Sequence, residues 1–178
     1  MAAGVEAILY QVNTSRTDMN MPIIIKGKKG IDYLLVEVIA AATGTIAIGD
    51  VVYWSTFPTT VTVGADNKHI CGIVPNTVKN LAALARNNSA TELTKELFFD
   101  AGFFEIAMPI KSMIVSAKRE STKPFVAGEA LMAGATGAME ASDDTSPTCG
   151  VALYTIDSGT GTFAGAVIMC PPYGLANK

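Results

Sequence analysis

Part of this chain is written twice, and that repeat limits its fold more than any other feature. A first passage runs Gly49-Asp50-Val51-Val52-Tyr53-Trp54, crosses a polar turn and returns through Ile70-Cys71-Gly72-Ile73-Val74. A second runs Gly128-Glu129-Ala130-Leu131-Met132, crosses another polar turn and returns through Thr148-Cys149-Gly150-Val151-Ala152. Gly49 and Gly72 stand 23 residues apart, and Gly128 and Gly150 stand 22 apart. Each copy reads as a glycine–acid turn, an outgoing strand, a loose connection and a return strand opened by Cys-Gly. Two copies are too few for a solenoid, in which every repeat packs on its neighbours. The expectation is a mainly β fold, a single barrel- or sandwich-like domain with pseudo-symmetric halves.

The rest of the chain is read around that repeat. Val5 to Tyr10 suits a first short strand, and residues 11–21 turn polar with no apolar period, the text of an arm that orders against a partner. Pro22-Ile23-Ile24-Ile25-Lys26, then Gly27-Lys28-Lys29-Gly30 and the apolar run 33–39, predict a hairpin with a longer turn. Val78, Leu81, Ala82, Leu84 and Ala85 fall on a helical spacing. Ser89-Ala90-Thr91-Glu92 has the form of a capping box, so one or two short helices are expected over about 78–97. Strands are expected over 103–108, 112–117 and 162–170. The organisation read from this is an arm with first strands (1–30), a β domain carrying the helical insertion (31–170) and a short tail (171–178).

Composition narrows the function classes. Charged residues make up only 16% of the 178-residue chain and apolar ones 49%, little charge for a surface that must stay solvated without partners. A net charge of −3 supplies no basic field, so neither nucleic acid nor an anionic membrane is an expected partner. The basic clusters Lys26-Lys28-Lys29 and Lys118-Arg119-Lys123 are small enough to be solvated turns. No apolar run approaches a membrane span. The start, Met-Ala-Ala-Gly-Val-Glu, lacks a basic region followed by an apolar one, so synthesis in a cytosol is expected. Cys71, Cys149 and Cys170 match no metal spacing and sit in apolar strand-like text, where buried thiols are expected; a Cys71–Cys149 bridge stays open.

Catalytic text is sparse. His69, the lone histidine, lies three residues after Asp66, and a serine such as Ser55 would complete a triad. There is no Gly-x-Ser-x-Gly elbow, and a histidine in a turn is ordinarily solvated. Glu140 with Asp143 and Asp144 is a weak hard-cation set, more simply a solvated turn. The glycine-rich passages lack a phosphate-loop lysine and enter no helix. No enzyme, metal or cofactor is expected. Tyr53, Trp54 and Phe57 form the most aromatic patch, suited to stacking a sugar ring or a partner's side chain, against the plainer reading of a strand tryptophan in the core.

A resemblance follows from these residues. Gly49-Asp50-Val51-Val52, Cys71-Gly72-Ile73-Val74, Gly102-Phe103-Phe104-Glu105-Ile106, Gly128-Glu129-Ala130-Leu131 and Cys149-Gly150-Val151-Ala152 form a series. It resembles the small glycine-rich β-type capsid decoration (head-stabilising or cement) proteins of tailed bacteriophages, over about residues 44–169. The resemblance implies a non-enzymatic protein on the outer surface of an assembled head, made in the host cytoplasm. Its partner is the major capsid protein, and self-association is as a homotrimer. The arm becomes the implied contact, with Asn13, Thr14, Arg16, Ile23, Ile24 and Ile25 as candidates for adding a strand to a capsid subunit's sheet edge. Two departures stand out: 78–99 is longer than the family has there, and the first thirty or so residues are an added arm. The alternatives are a virion fibre or receptor/carbohydrate-binding module using Tyr53, Trp54 and Phe57, and a small β-sandwich coat subunit.

Overall fold

The computed structural model describes residues 23–41, 46–63, 68–86, 92–93, 104–120, 122–134, 136–157 and 163–169. The elements of the first part are β1 (Ile24–Lys26), β2 (Tyr33–Ala40), β3 (Ile46–Ala47), β4 (Val51–Thr56), β5 (Thr60–Val63), β6 (Gly72–Ile73), α1 (Val78–Arg86) and β7 (Glu92–Leu93). Those of the second are β8 (Phe104–Pro109), β9 (Met113–Lys118), β10 (Ala130–Ala133), β11 (Met139–Ala141), β12 (Thr148–Ala152) and β13 (Phe163–Met169). The fold is mainly β with pseudo-symmetric halves, as the repeat predicts, and each half carries its own sheet. The first is a closed barrel, β2-β5-β4-β6-β8; the second is six-stranded, β1-β9-β13-β12-β10-β11.

The two halves match bond for bond. Gly49 and Gly128 have φ of 90° and 86°, a left-handed conformation that glycine adopts without a Cβ clash. The Gly49 amide donates to Val74 O and the Gly128 amide to Ala152 O, each at 2.8 Å. The acid that follows caps its own turn: Asp50 Oδ2 accepts from the Ala47 amide at 2.7 Å, and Glu129 Oε2 from the Val126 amide at 3.0 Å. Val51 pairs with Ile73 as Ala130 pairs with Val151.

The correspondence reaches well beyond the passages legible in the sequence. Leu35 faces Ala107 in β2–β8 as Ile114, 79 residues after Leu35, faces Ile168 in β9–β13. Ala40 meets Val61 in a parallel pairing, and Arg119, also 79 residues on, meets Met139 in a parallel bridge. The second sheet thus curls toward the closure that the first completes.

One difference joins the halves. In the first barrel the Ile39 amide donates to Thr59 O at 2.9 Å across the β2–β5 seam. In the second, the equivalent groups are Lys118 N–H and Gly137 O, and the Ile48–Val51 turn of the first barrel is wedged between them. Lys118 donates to Gly49 O at 3.2 Å, and Val51 donates to Gly137 O at 2.9 Å. A single apolar core runs through both halves, from Ile46, Val51 and Phe104 to Val115, Leu131 and Met169.

Two expectations are corrected. The residues around Gly27–Gly30 do not form a hairpin, because β1 pairs with β9 (Ile24 opposite Val115) and β2 pairs with β8 and β5. The Asp32 carboxylate accepts from the Lys28 amide at 2.8 Å and turns the chain from one sheet to the other. Of the helical text, the helix expected from Val78 is present as α1. Thr77 caps α1, its Oγ1 accepting from the Asn80 amide at 3.2 Å. Asn80 is buried and fully used, donating to Pro75 O and Glu105 O and accepting from the Glu105 amide, each at 2.8 Å, so the helix is locked to β8. Of the capping-box text only Glu92 is described, and it is strand, since β7 pairs with β3 with Ile46 opposite Leu93; residues 87–91 and 94–97 lie outside the described residues.

Candidate functional site

The aromatic patch is the feature with the geometry of a site. Tyr53 and Trp54 end the inward part of β4, whose first residues Val51 and Val52 are core, while Ser55 and Thr56 are exposed. Phe57 follows in the turn, 75% exposed, its ring edge-on to Trp54 with centroids 5.4 Å apart and planes at 84°. Lys68 and His69 reach the same place from the chain entering β6, with the Lys68 ammonium 5.8 Å from the Tyr53 ring centroid, a cation–π geometry. Cys71 and Met108 complete the lining of an open cavity of about 500 Å³. None of its described lining residues is acidic.

The sequence showed the three aromatics but not their companions. His69 reads as an ordinary turn residue, and Met108 belongs to a strand far along the chain. Only the pairing of Ile73 with Ala107 brings Met108 to the pocket.

Ser55 Oγ donates to Thr60 O at 3.2 Å; Asp66 lies outside the described residues. Burial pushes the Cys71 thiol pKa up to about 12, which disfavours the thiolate, and its Sγ donates to Val52 O at 3.3 Å. Cys71 and Cys149 are both buried and do not bridge each other.

The arm candidates fare unequally. Asn13, Thr14 and Arg16 lie outside the described residues. Ile23 is fully buried, with its amide donating to Asn76 Oδ1 at 3.1 Å, so its side chain is committed to the chain's own core. Ile24 and Ile25 are half-buried in β1, which already occupies an edge of its own sheet.

Lys26, Lys28 and Lys29 are exposed, whereas the second basic cluster is built into the fold. Lys118 pairs with buried Asp50 (2.6 Å) rather than lining a solvated turn. Arg119 is buried and donates to Lys123 O at 2.7 Å, and Lys123 pairs with Glu140. That pairing removes Glu140 from any cation set. Asp143 caps its own turn, accepting from the Thr145 amide at 2.9 Å and the Ser146 amide at 2.8 Å. Among the described residues no group of three or more His, Cys, Asp or Glu is placed to hold a metal, and no described helix is long and apolar enough to cross a membrane.

The Asp143 turn yields a direct test. Those backbone amides hold its carboxyl down at a pKa of about 2. A lowered folded-state value stabilises the turn above the ordinary aspartate range, and that stability is lost as pH falls through about 2. The Thr145 and Ser146 amide resonances are expected to titrate there, and Asp143→Asn to abolish the transition. A midpoint in the ordinary aspartate range would contradict the capping geometry.

The chain matches no protein-family model and none of the curated proteins. Among solved structures it is similar to the N base of head fibre gp8.5 of bacteriophage phi29. The TM-score is 0.48 at 11% identity, over 77% of this chain and 93% of that one.

Proposed function

We propose that this chain is a structural protein of a bacteriophage head and, within that class, a non-enzymatic decoration protein. It binds the outer surface of the assembled shell through the major capsid protein. The observation that carries the reading is the doubled turn-and-return unit. The glycine rhythm by which the sequence resembles decoration proteins is, in the fold, the framework of both halves. A protein that binds only the assembled lattice stabilises it by mass action, and several modest contacts on one oligomer add through effective concentration.

Self-association, as a homotrimer, draws on the asymmetry between the halves. In the first, residues 46–50 are buried, and Gly49 and Val51 hydrogen-bond to the second half. The equivalent turn of the second half is uncovered, with Val126 55% exposed and Ala127, Gly128 and Ala130 also exposed. A turn covered in one half and left exposed in the other is a surface on which a neighbouring copy is expected to pack, forming a ring where the rotation between copies closes.

The test mixes the purified chain with undecorated expanded heads and follows DNA release on heating. Binding with a raised release temperature is expected, and Arg16→Glu is expected to weaken it if the arm makes the contact. Absence of binding would overturn the decoration reading. Val126→Asp, read by light scattering, is expected to shift the oligomer toward monomer. The fibre or receptor-module alternative draws instead on the aromatic pocket and predicts ligand binding without any affinity for heads.

A further inference from the structure

We infer that the pocket of Tyr53, Trp54, Phe57, Lys68 and His69 is a binding site for an acidic saccharide, a sugar ring bearing a carboxylate. The inference stands on the pocket alone and does not depend on head binding.

Three observations combine. First, Trp54 and Phe57 meet at 84°, so their faces form a corner, and Phe57 leaves three-quarters of its surface open. An exposed aromatic corner of this kind suits the C–H-rich face of a sugar ring, which stacks on an aromatic face while its hydroxyls stay solvated. Second, the cavity is open and holds about 500 Å³. That lies within the ~300–1,000 Å³ usual for ligand sites, and an open mouth lets a polymer chain continue past the bound ring.

Third, the polar groups are of one kind. Lys68 and His69 are both exposed at the pocket, and among the described residues no carboxylate pairs with either. Elsewhere the described ion pairs join Lys79 to Glu37, Lys118 to Asp50 and Lys123 to Glu140. Within a chain of net charge −3, this acid-free lining is a local attractor for an anion. Lys68 over the Tyr53 ring is held where a carboxylate on a stacked sugar would meet it.

Trp54 is the chain's only tryptophan, so its fluorescence reports on this pocket directly. The full-length protein is titrated with oligogalacturonate, with its methyl ester and with a neutral maltooligosaccharide. A saturable change in Trp54 emission is expected with the acidic oligomer at concentrations of about 10 mM or below, at least ~5-fold tighter than with either neutral probe. Phe57→Ala, whose side chain is mostly in solvent, is expected to keep the fold by circular dichroism and to weaken binding ~10-fold. Lys68→Gln is expected to remove the preference for the acid over the ester while leaving residual stacking. No saturable change with any probe overturns the site. Equal binding of acid and ester by the unaltered protein overturns the acidic assignment, and binding unaffected by Phe57→Ala places the ligand elsewhere.

Discussion

Alanine in place of Gly150 is expected to lower stability by about 3 kcal/mol, near the upper end of the over-packing range. Gly72→Ala is expected to cost a similar amount. A Cβ on Gly150 would lie 2.7 Å from Ile168 O and 2.9 Å from Val167 Cγ1; on Gly72 it would lie 2.7 Å from Ala107 O. The obstructing atom in both cases is a carbonyl oxygen of the neighbouring strand, which cannot swing aside as a side chain can. Relief requires β12 to move off β13, or β6 off β8, and each of those pairings closes its half against the strand beyond. Gly128→Ala separates this effect from glycine's backbone freedom. It has a φ of 86° but nothing within 4 Å of the added Cβ, so it is expected to cost only about 1 kcal/mol. Urea unfolding midpoints of the three variants decide the matter, and equal losses in all three would refute the close-approach argument.

Those glycines also mark how far the fold was legible. The Gly-acid and Cys-Gly dipeptides carry geometry that only particular residues tolerate, so the repeat shows in the sequence wherever they occur. The same repeat is silent in β2 and β9, where Leu34-Leu35-Val36 and Met113-Ile114-Val115 occupy equivalent positions. A strand there needs only apolar side chains of suitable size, so identity drifts while register holds. The partner of β1 was illegible for another reason. Glycines and a short run of lysines predict a turn but not which sheet the chain enters after it, which is set by the long-range pairing of β1 with β9 and of β2 with β8. The aromatic half of the candidate site was readable because Tyr53, Trp54 and Phe57 are close in sequence. Its polar rim was not, since Lys68 and His69 acquire their neighbours only when β4 and β6 pair.

The contact between the halves gives the second large effect. Lys118→Met is expected to cost about 3 kcal/mol at neutral pH, toward the low end for breaking a buried pair because the lysine side chain keeps 27% of its exposure. It would strand the Asp50 carboxylate, which is 4% exposed. Desolvation already outweighs the pull of Lys118 and raises the Asp50 pKa. A carboxyl with a raised folded-state value favours the folded protein below its unfolded-state pKa, and that advantage is lost as pH rises through the folded value. Removing the cation raises the folded value further. Lys118→Met should therefore recover stability on acidification toward the ordinary aspartate range, over a wider pH window than the unaltered chain. Asp50→Asn keeps a side-chain oxygen for the Ala47 amide and discards the charge, so adding it to Lys118→Met is expected to restore most of the loss. Gly137 permits no such repair. Its φ is +77°, and an added Cβ would sit 3.2 Å from both Asp50 Cγ and Val63 Cβ. The wedge thus needs a glycine on one side and a neutralised carboxylate on the other. If the double variant were as unstable as Lys118→Met alone, the loss would lie in the packing of the lysine stem and not in the stranded charge.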